Sequence, residues 1–152
     1  MLKRNNLWLL AIPLGFIVLR KLMSSNTTNK KLSKNFDWNE FESHDGAVMP
    51  PEVKTNIQEL VKNLEVIRSA IGKPMKINSG WRSPNQNAKV GGKSKSFHMV
   101  GMASDFYVPG MTTKQVRDVI ETLISQGKIK QGGIGKYDTW VHYDNRGTKA
   151  RW

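Results

Sequence analysis

The sequence predicts an α+β domain. Three observations carry that prediction: one long amphipathic helix, a second shorter one, and short runs of strand character that alternate with them. The long helix is Pro51 to Ile71. Pro51 and Glu52 suit a first turn, Val53, Ile57, Leu60, Val61, Leu64, Ile67 and Ile71 recur on one face, and Gly72 and Pro74 end it. The second helix is expected over residues 113–126, with Thr112 or Thr113 as cap and Val116, Val119, Ile120 and Leu123 turned inward. Strands are expected at 75–79, 103–108 and 139–143, where β-branched, aromatic and small residues are bounded by Gly, Pro, Asn and Ser. Residues 37–41 are expected to form a short helical turn that docks Trp38 and Phe41 on the core. Residues 80–92, rich in Asn, Gly and Ser, are expected as a loop, and 132–135 as a turn into the last strand. There is no internal repeat.

The N-terminus has a different character. Lys3 and Arg4 precede LWLLAIPLGFIVL, 13 residues without a charge at 7–19, closed by Arg20 and Lys21. This run is shorter than the roughly 20 residues of a spanning helix and within the roughly 7–15 of a signal-peptide core. No A-x-A-like site follows it, and Leu22 and Met23 extend it, so residues 1–23 are expected to be an uncleaved membrane anchor or a signal segment. The polar text MSSNTTNKKLSK then predicts a flexible linker over 24–35, leaving 36–152 as the folded domain. Basic residues flank the apolar run on both sides, with Lys30, Lys31 and Lys34 loading the far side, so loop charge leaves the orientation open.

Lys and Arg outnumber Asp and Glu 24 to 12, a formal net charge of +12 that calls for a polyanionic partner: nucleic acid, anionic lipid or acidic wall polymer. There are no cysteines, which excludes disulfides and thiolate metal sites, so any metal must be held by His and carboxylates.

Only His44, His98 and His142 supply imidazoles. His98 lies seven residues before Asp105 at the mouth of a predicted strand, and His142 lies in the apolar strand W-V-H-Y, where an imidazole is costly to bury without a partner. Two imidazoles and one carboxylate make a catalytic zinc set, with the fourth coordination place open. Arg82, in S-G-W-R-S-P directly after a strand, is suited to a bidentate grip on a substrate carboxylate or an oxyanion.

Three strings occur in order: S-G-W-R-S-P-x-x-N at 79–87, S-x-H-x-x-G-x-A-x-D at 96–105, and G-G-I-G-x-Y followed by W-V-H-Y-D at 132–144. Together they resemble the D-Ala-D-Ala carboxypeptidase and murein endopeptidase family of zinc peptidases, over nearly all of 36–152. The ending R-G-x-x-A-R-W is similar to a branch common among small phage-encoded and bacterial wall peptidases. The resemblance implies a small domain in which a short antiparallel sheet, flanked by helices, carries the zinc site. His98, Asp105 and His142 match the metal ligands, Arg82 the arginine that binds a substrate carboxylate or the transition state, and Ser96 a serine that contacts substrate.

The sequence departs from the family at the general base. Many relatives carry an acid three residues before the last histidine ligand or a His two before it, and here those positions hold Thr139 and Trp140. Asp138, four before His142, is the expected proton acceptor. Asp144, two after His142 and on the same strand face, is the expected support. Lys89, Lys93 and Lys95 crowd the loop before the metal motif and favour acidic wall polymers or carboxylate-bearing stem peptides.

The expected function is hydrolysis of amide bonds in peptidoglycan stem peptides or cross-links by a zinc-dependent, endolysin-like monomer of phage or bacterial origin. Its domain would be tethered to a membrane and face the cell wall. An inactive zinc-containing module that binds peptidoglycan is the alternative. A nucleic-acid binder would account for the charge and leave the histidine and aspartate pattern unexplained, so no specific nucleic acid is expected as partner.

Overall fold

The computed structural model describes residues 31–152. The expected anchor at 1–23, and the linker as far as residue 30, lie outside the described residues. From residue 31 onward the chain is tied to the domain. Lys31 bridges to Asp37, Leu32 packs against the core, and Ser33 and Asn35 donate hydrogen bonds to the Glu65 carboxylate. Trp38–Phe41 forms the short helical turn, here a 3-10 helix.

Five strands make one sheet: β1 (Lys76–Ser79), β2 (Ala103–Tyr107), β3 (Gly133–Lys136), β4 (Val141–Asp144) and β5 (Ala150–Arg151), in the order β1-β2-β4-β3-β5. Four of the five pair antiparallel, and β5 runs parallel to β3, so the sheet is mixed rather than wholly antiparallel as expected. Two of these strands were not anticipated. The segment expected as a turn at 132–135 contains most of β3, whose glycines conceal strand character, and β5 is only two residues long.

Helix α1 (Pro51–Ile71) follows its periodicity, burying Val53, Ile57, Leu60, Val61, Leu64 and Ile67. Gly72, in the left-handed region at φ 68°, caps it by donating its N–H to Arg68 O. Helix α3 (Thr113–Ser125) is capped by Thr112, whose Oγ1 accepts from Gln115 N, and it buries Val116, Ile120 and Leu123. Between them lies the short α2 (Pro84–Lys89), inside the segment expected to be loop. Its signal was in the sequence. Ser83 is the N-cap, accepting from Gln86 N, and Pro84 occupies the first helical position, where its missing N–H costs nothing.

The core sits between α1, α3 and one face of the sheet, closed by Phe36 and Phe41 edge to face. Along β4, Val141 and Tyr143 join that core, so the two-residue alternation of a strand turns His142 and Asp144 to the other face. The same alternation on β2 sends Phe106 inward and Asp105 outward. Asp105 is the register partner of His142 on β4 and of Ser79 on β1. The sheet register therefore puts one carboxylate beside one imidazole.

Candidate metal centre

Three side chains converge on the outward face. His98 is 2% exposed, and its Nδ1 lies 2.6 Å from the carbonyl oxygen of Gly80. A carbonyl only accepts, so Nδ1 carries the proton and Nε2 holds the lone pair. His142 uses the opposite nitrogen. Its Nε2 donates to Asp144 Oδ2 at 3.0 Å, which leaves the lone pair on Nδ1. His98 Nε2 and His142 Nδ1 stand 3.2 Å apart, and Asp105 Oδ1 lies 2.8 Å from His142 Nδ1 and 3.2 Å from His98 Nε2.

Those separations fit a cation. Tetrahedral zinc with ligand bonds near 2.0–2.1 Å places neighbouring donors about 3.3 Å apart. Two lone pairs that face each other and a carboxylate oxygen, with both outer nitrogens already engaged, form the donor set of a three-ligand zinc site with one place open. Zinc is the cofactor that this set fits.

The electrostatics agree with the geometry. Burial pushes the Asp105 carboxyl up, but hydrogen bonds and charge from His142 and His98 outweigh it and hold Asp105 well below the usual carboxylate range. Burial likewise pushes His142 down, and the hydrogen bonds and charges of Asp105 and Asp144 overcome this and set it above 6.5. Asp144 is desolvated too, yet His142, Arg146 and the Gly133 N–H keep it ionised far below its ordinary value.

Asp144 is fully buried with both oxygens committed. Oδ1 accepts from Gly133 N and Arg146 Nε, and Oδ2 from Arg146 Nη2 and His142 Nε2. It orients His142 and has no oxygen left for water. The Arg146 guanidinium also lies 4.2 Å over the ring of Phe97, the residue before His98, so one arginine braces the strand of His142 and the segment of His98.

Arg82 reaches the site from the loop after β1. Its Nη2 donates to Asp105 Oδ2 at 2.5 Å and its Nε to Ser79 Oγ at 2.9 Å, while Nη1 makes no hydrogen bond among the described residues. Ser96 is half-buried, and its Oγ accepts from the His98 N–H at 3.4 Å. Both line a cavity of about 820 Å³ that opens over the three metal-site residues. Asp138, the expected proton acceptor, stands apart from these residues. It is exposed in the turn between β3 and β4 and is not part of the cavity wall, because β3 runs through Lys136 and carries the turn past the site before β4 returns to it.

The far wall is aromatic and was not anticipated as part of the site. Tyr137 and Trp140 stack with centroids 4.8 Å apart and planes 16° apart. Trp152 lies 5.1 Å from the His142 ring and donates its Nε1–H to Tyr137 Oη at 3.0 Å. Tyr137 and Trp152 were visible within recurring strings, and what the sequence lacked was the parallel β3–β5 pairing that carries residue 152 back to the site. Glycine makes that closure possible. A Cβ on Gly135 would fall 2.5 Å from Trp152 Nε1, and one on Gly133 would fall 2.3 Å from Asp144 Oδ2.

Comparison with known proteins agrees with this picture. The sequence model of the Peptidase M15 family matches residues 30–144. Among curated proteins, the chain is similar to the zinc D-Ala-D-Ala carboxypeptidase of Streptomyces albus G, 37% identical over 82 residues that cover 53% of this chain and 30% of that protein. It is also similar to the peptidoglycan L,D-endopeptidase MepK of Escherichia coli K12, 30% identical over 87 residues, covering 53% of this chain and 44% of that protein. The match spans less than half the length of either relative.

Proposed function

The chain belongs to the peptidase M15 family, and on that premise we propose that it is a zinc-dependent peptidase hydrolysing amide bonds in peptidoglycan stem peptides or cross-links. The observation that carries the reading is the convergence of His98 Nε2, His142 Nδ1 and Asp105 Oδ1 under an open cavity, with each imidazole's other nitrogen already bonded. Bound there, zinc supplies Lewis acidity that polarises the scissile carbonyl and lowers the pKa of water to about 7.

The rest falls to the chain's own side chains. His98 and His142 are held in one tautomer each, by the Gly80 carbonyl and by Asp144. Arg82 keeps Asp105 in place through Nη2 and offers Nη1 to a substrate carboxylate or to the oxyanion. Ser96, at the cavity wall, contacts the substrate backbone. Tyr137 serves as a donor: its oxygen accepts from Trp152 Nε1, which leaves its own proton to point at the oxyanion or the leaving amine. Trp140 and Trp152 shield this side from bulk water.

Both curated relatives bear names of peptidoglycan or D-Ala-D-Ala peptidases, which supports the substrate class. The proposal includes a tether at residues 1–23 and a domain facing the cell wall. Purified protein is expected to release soluble fragments from isolated wall sacculi, and a chelator or His98→Ala should abolish release. Sacculus binding without release by the zinc-loaded protein would select the inactive binding module instead.

A further inference from the structure

The cavity carries more positive charge than the reaction needs. Four cationic side chains line it, Arg82, Lys93, Lys95 and Arg146, against the single carboxylate of Asp105. Arg82 is paired with Asp105 and Arg146 with Asp144. Lys93 and Lys95 make no ion pair among the described residues, and both are exposed at the rim.

Their loop is built rather than loose. Asn87, 4% exposed, donates its Nδ2–H to the Lys93 carbonyl at 3.0 Å, and its own carbonyl accepts from Gly92 N at 2.8 Å. Ser96 N also donates to Lys93 O at 3.0 Å, so the backbone from α2 to His98 is pinned on both sides of the lysines. Asn87 closes the string that begins at Ser79, and none of the roles assigned so far uses it.

Resting on the peptidase reading, we propose that the Asn87-anchored loop is a specificity element in which Lys93 and Lys95 receive a second substrate carboxylate. The preferred substrate would then be a stem peptide whose acidic residue near the scissile bond is a free acid and not an amide. Length sets how near. Lys95 is three residues from His98, and three residues of chain span at most roughly 10 Å, about two or three residues of an extended peptide. The charge balance sets the sign. A bound divalent cation beside one aspartate leaves net positive charge at the centre, so two unpaired lysines at the rim repel a cationic segment and attract an anionic one.

The test uses the full zinc-loaded chain and two synthetic stem peptides that differ only in carboxylate against carboxamide at that acidic residue. Hydrolysis and binding are both measured. The wild type should favour the carboxylate peptide by about fivefold in kcat/KM, chiefly through KM, the scale of one or two solvent-exposed ion pairs. That preference should shrink at roughly 1 M salt, where the Debye length is about 3 Å. The double variant Lys93→Gln, Lys95→Gln should bring the two peptides together. Equal handling of both peptides by the wild type, or an undiminished preference in the double variant, overturns the inference. A binding preference with hydrolysis of neither peptide would uphold the lysines' role and overturn the peptidase reading instead.

Discussion

Asp144 stands two residues after His142 on the same strand face and accepts its Nε2–H at 3.0 Å, which decides which nitrogen of His142 can hold a metal. The contact depends on strand alternation, since only residues i and i+2 share a face. It also depends on Arg146, which supplies two charged donors to the same carboxylate and so offsets the cost of burying it. His142, Asp144 and Arg146 form one chain of hydrogen bonds from metal site to guanidinium.

The two aspartates near His142 should behave oppositely. Asp144→Asn removes the charge that both His142 and Arg146 face, and such partners of a ligating histidine typically contribute 10- to 100-fold in metal affinity. Zinc affinity measured by chelator competition should fall on roughly that scale, with kcat falling alongside. Asp138→Asn changes an exposed turn residue outside the cavity wall, so kcat should stay within about twofold of wild type. A large loss in Asp138→Asn would restore that residue as proton acceptor.

Zinc binding should be steeply dependent on pH. The hydrogen bonds and charges of Asp105 and Asp144 raise His142 above its ordinary value, so zinc competes with a proton there at higher pH than it would at a free imidazole, whereas Asp105 and Asp144 are already ionised. Affinity should therefore rise with pH between about pH 6 and pH 8, and calorimetry in buffers of different ionisation enthalpy should detect proton release. Stability of the metal-free protein follows the opposite sign at this histidine. Its raised pKa contributes stability below 6.5 that is lost as pH rises through the folded value, and the depressed pKa of Asp105 and Asp144 contributes stability above 3.8 that is lost on acidification. As far as these three groups decide it, metal-free stability should peak between 3.8 and 6.5, which a series of thermal melts would show.

Much of this architecture is legible in the sequence because the periodic signal is strong where burial is one-sided. Helices α1 and α3 each present one apolar face, and their predicted bounds match the observed ones to within a residue. His98, Asp105 and His142 were legible as a donor set, His98 from its place seven residues before Asp105 at the mouth of a strand and the other two from their short strands, and the resemblance matched all three to metal ligands. Strand β3 was not legible, because its glycines serve close approaches of Asp144 and Trp152 that no local pattern records. Nor was the aromatic wall, because residue 152 reaches the site only through a parallel pairing with a strand that begins 17 residues before the chain from β4 returns.

Those glycines should differ in what they tolerate. A methyl on Gly133 meets Asp144 Oδ2 at 2.3 Å and Arg146 Nη2 at 2.8 Å, groups fixed by several hydrogen bonds, so Gly133→Ala should cost about 1–3 kcal/mol and weaken zinc binding. A methyl on Gly135 meets the indole of Trp152, a half-exposed side chain held by one hydrogen bond to Tyr137 rather than by a buried network. Gly135→Ala should then cost less than about 1 kcal/mol in a denaturant titration while reducing activity through the displaced cavity wall. Equal stability losses for the two variants would contradict this reading of the Trp152 contact.

Tyr137→Phe isolates the one donor that the aromatic wall offers. The ring, its stacking on Trp140 and the shape of the cavity survive the change, and only the hydroxyl that accepts from Trp152 Nε1 is lost. A donor that acts on charge developing in the transition state contributes to kcat rather than to ground-state binding, and removing one commonly costs roughly a hundredfold. Tyr137→Phe should therefore lower kcat by about that factor, with KM and zinc affinity close to wild type. An unchanged kcat would mean that the hydroxyl only holds Trp152 in place. In that case Trp152→Phe, which removes the Nε1–H and keeps an aromatic ring, should be equally silent.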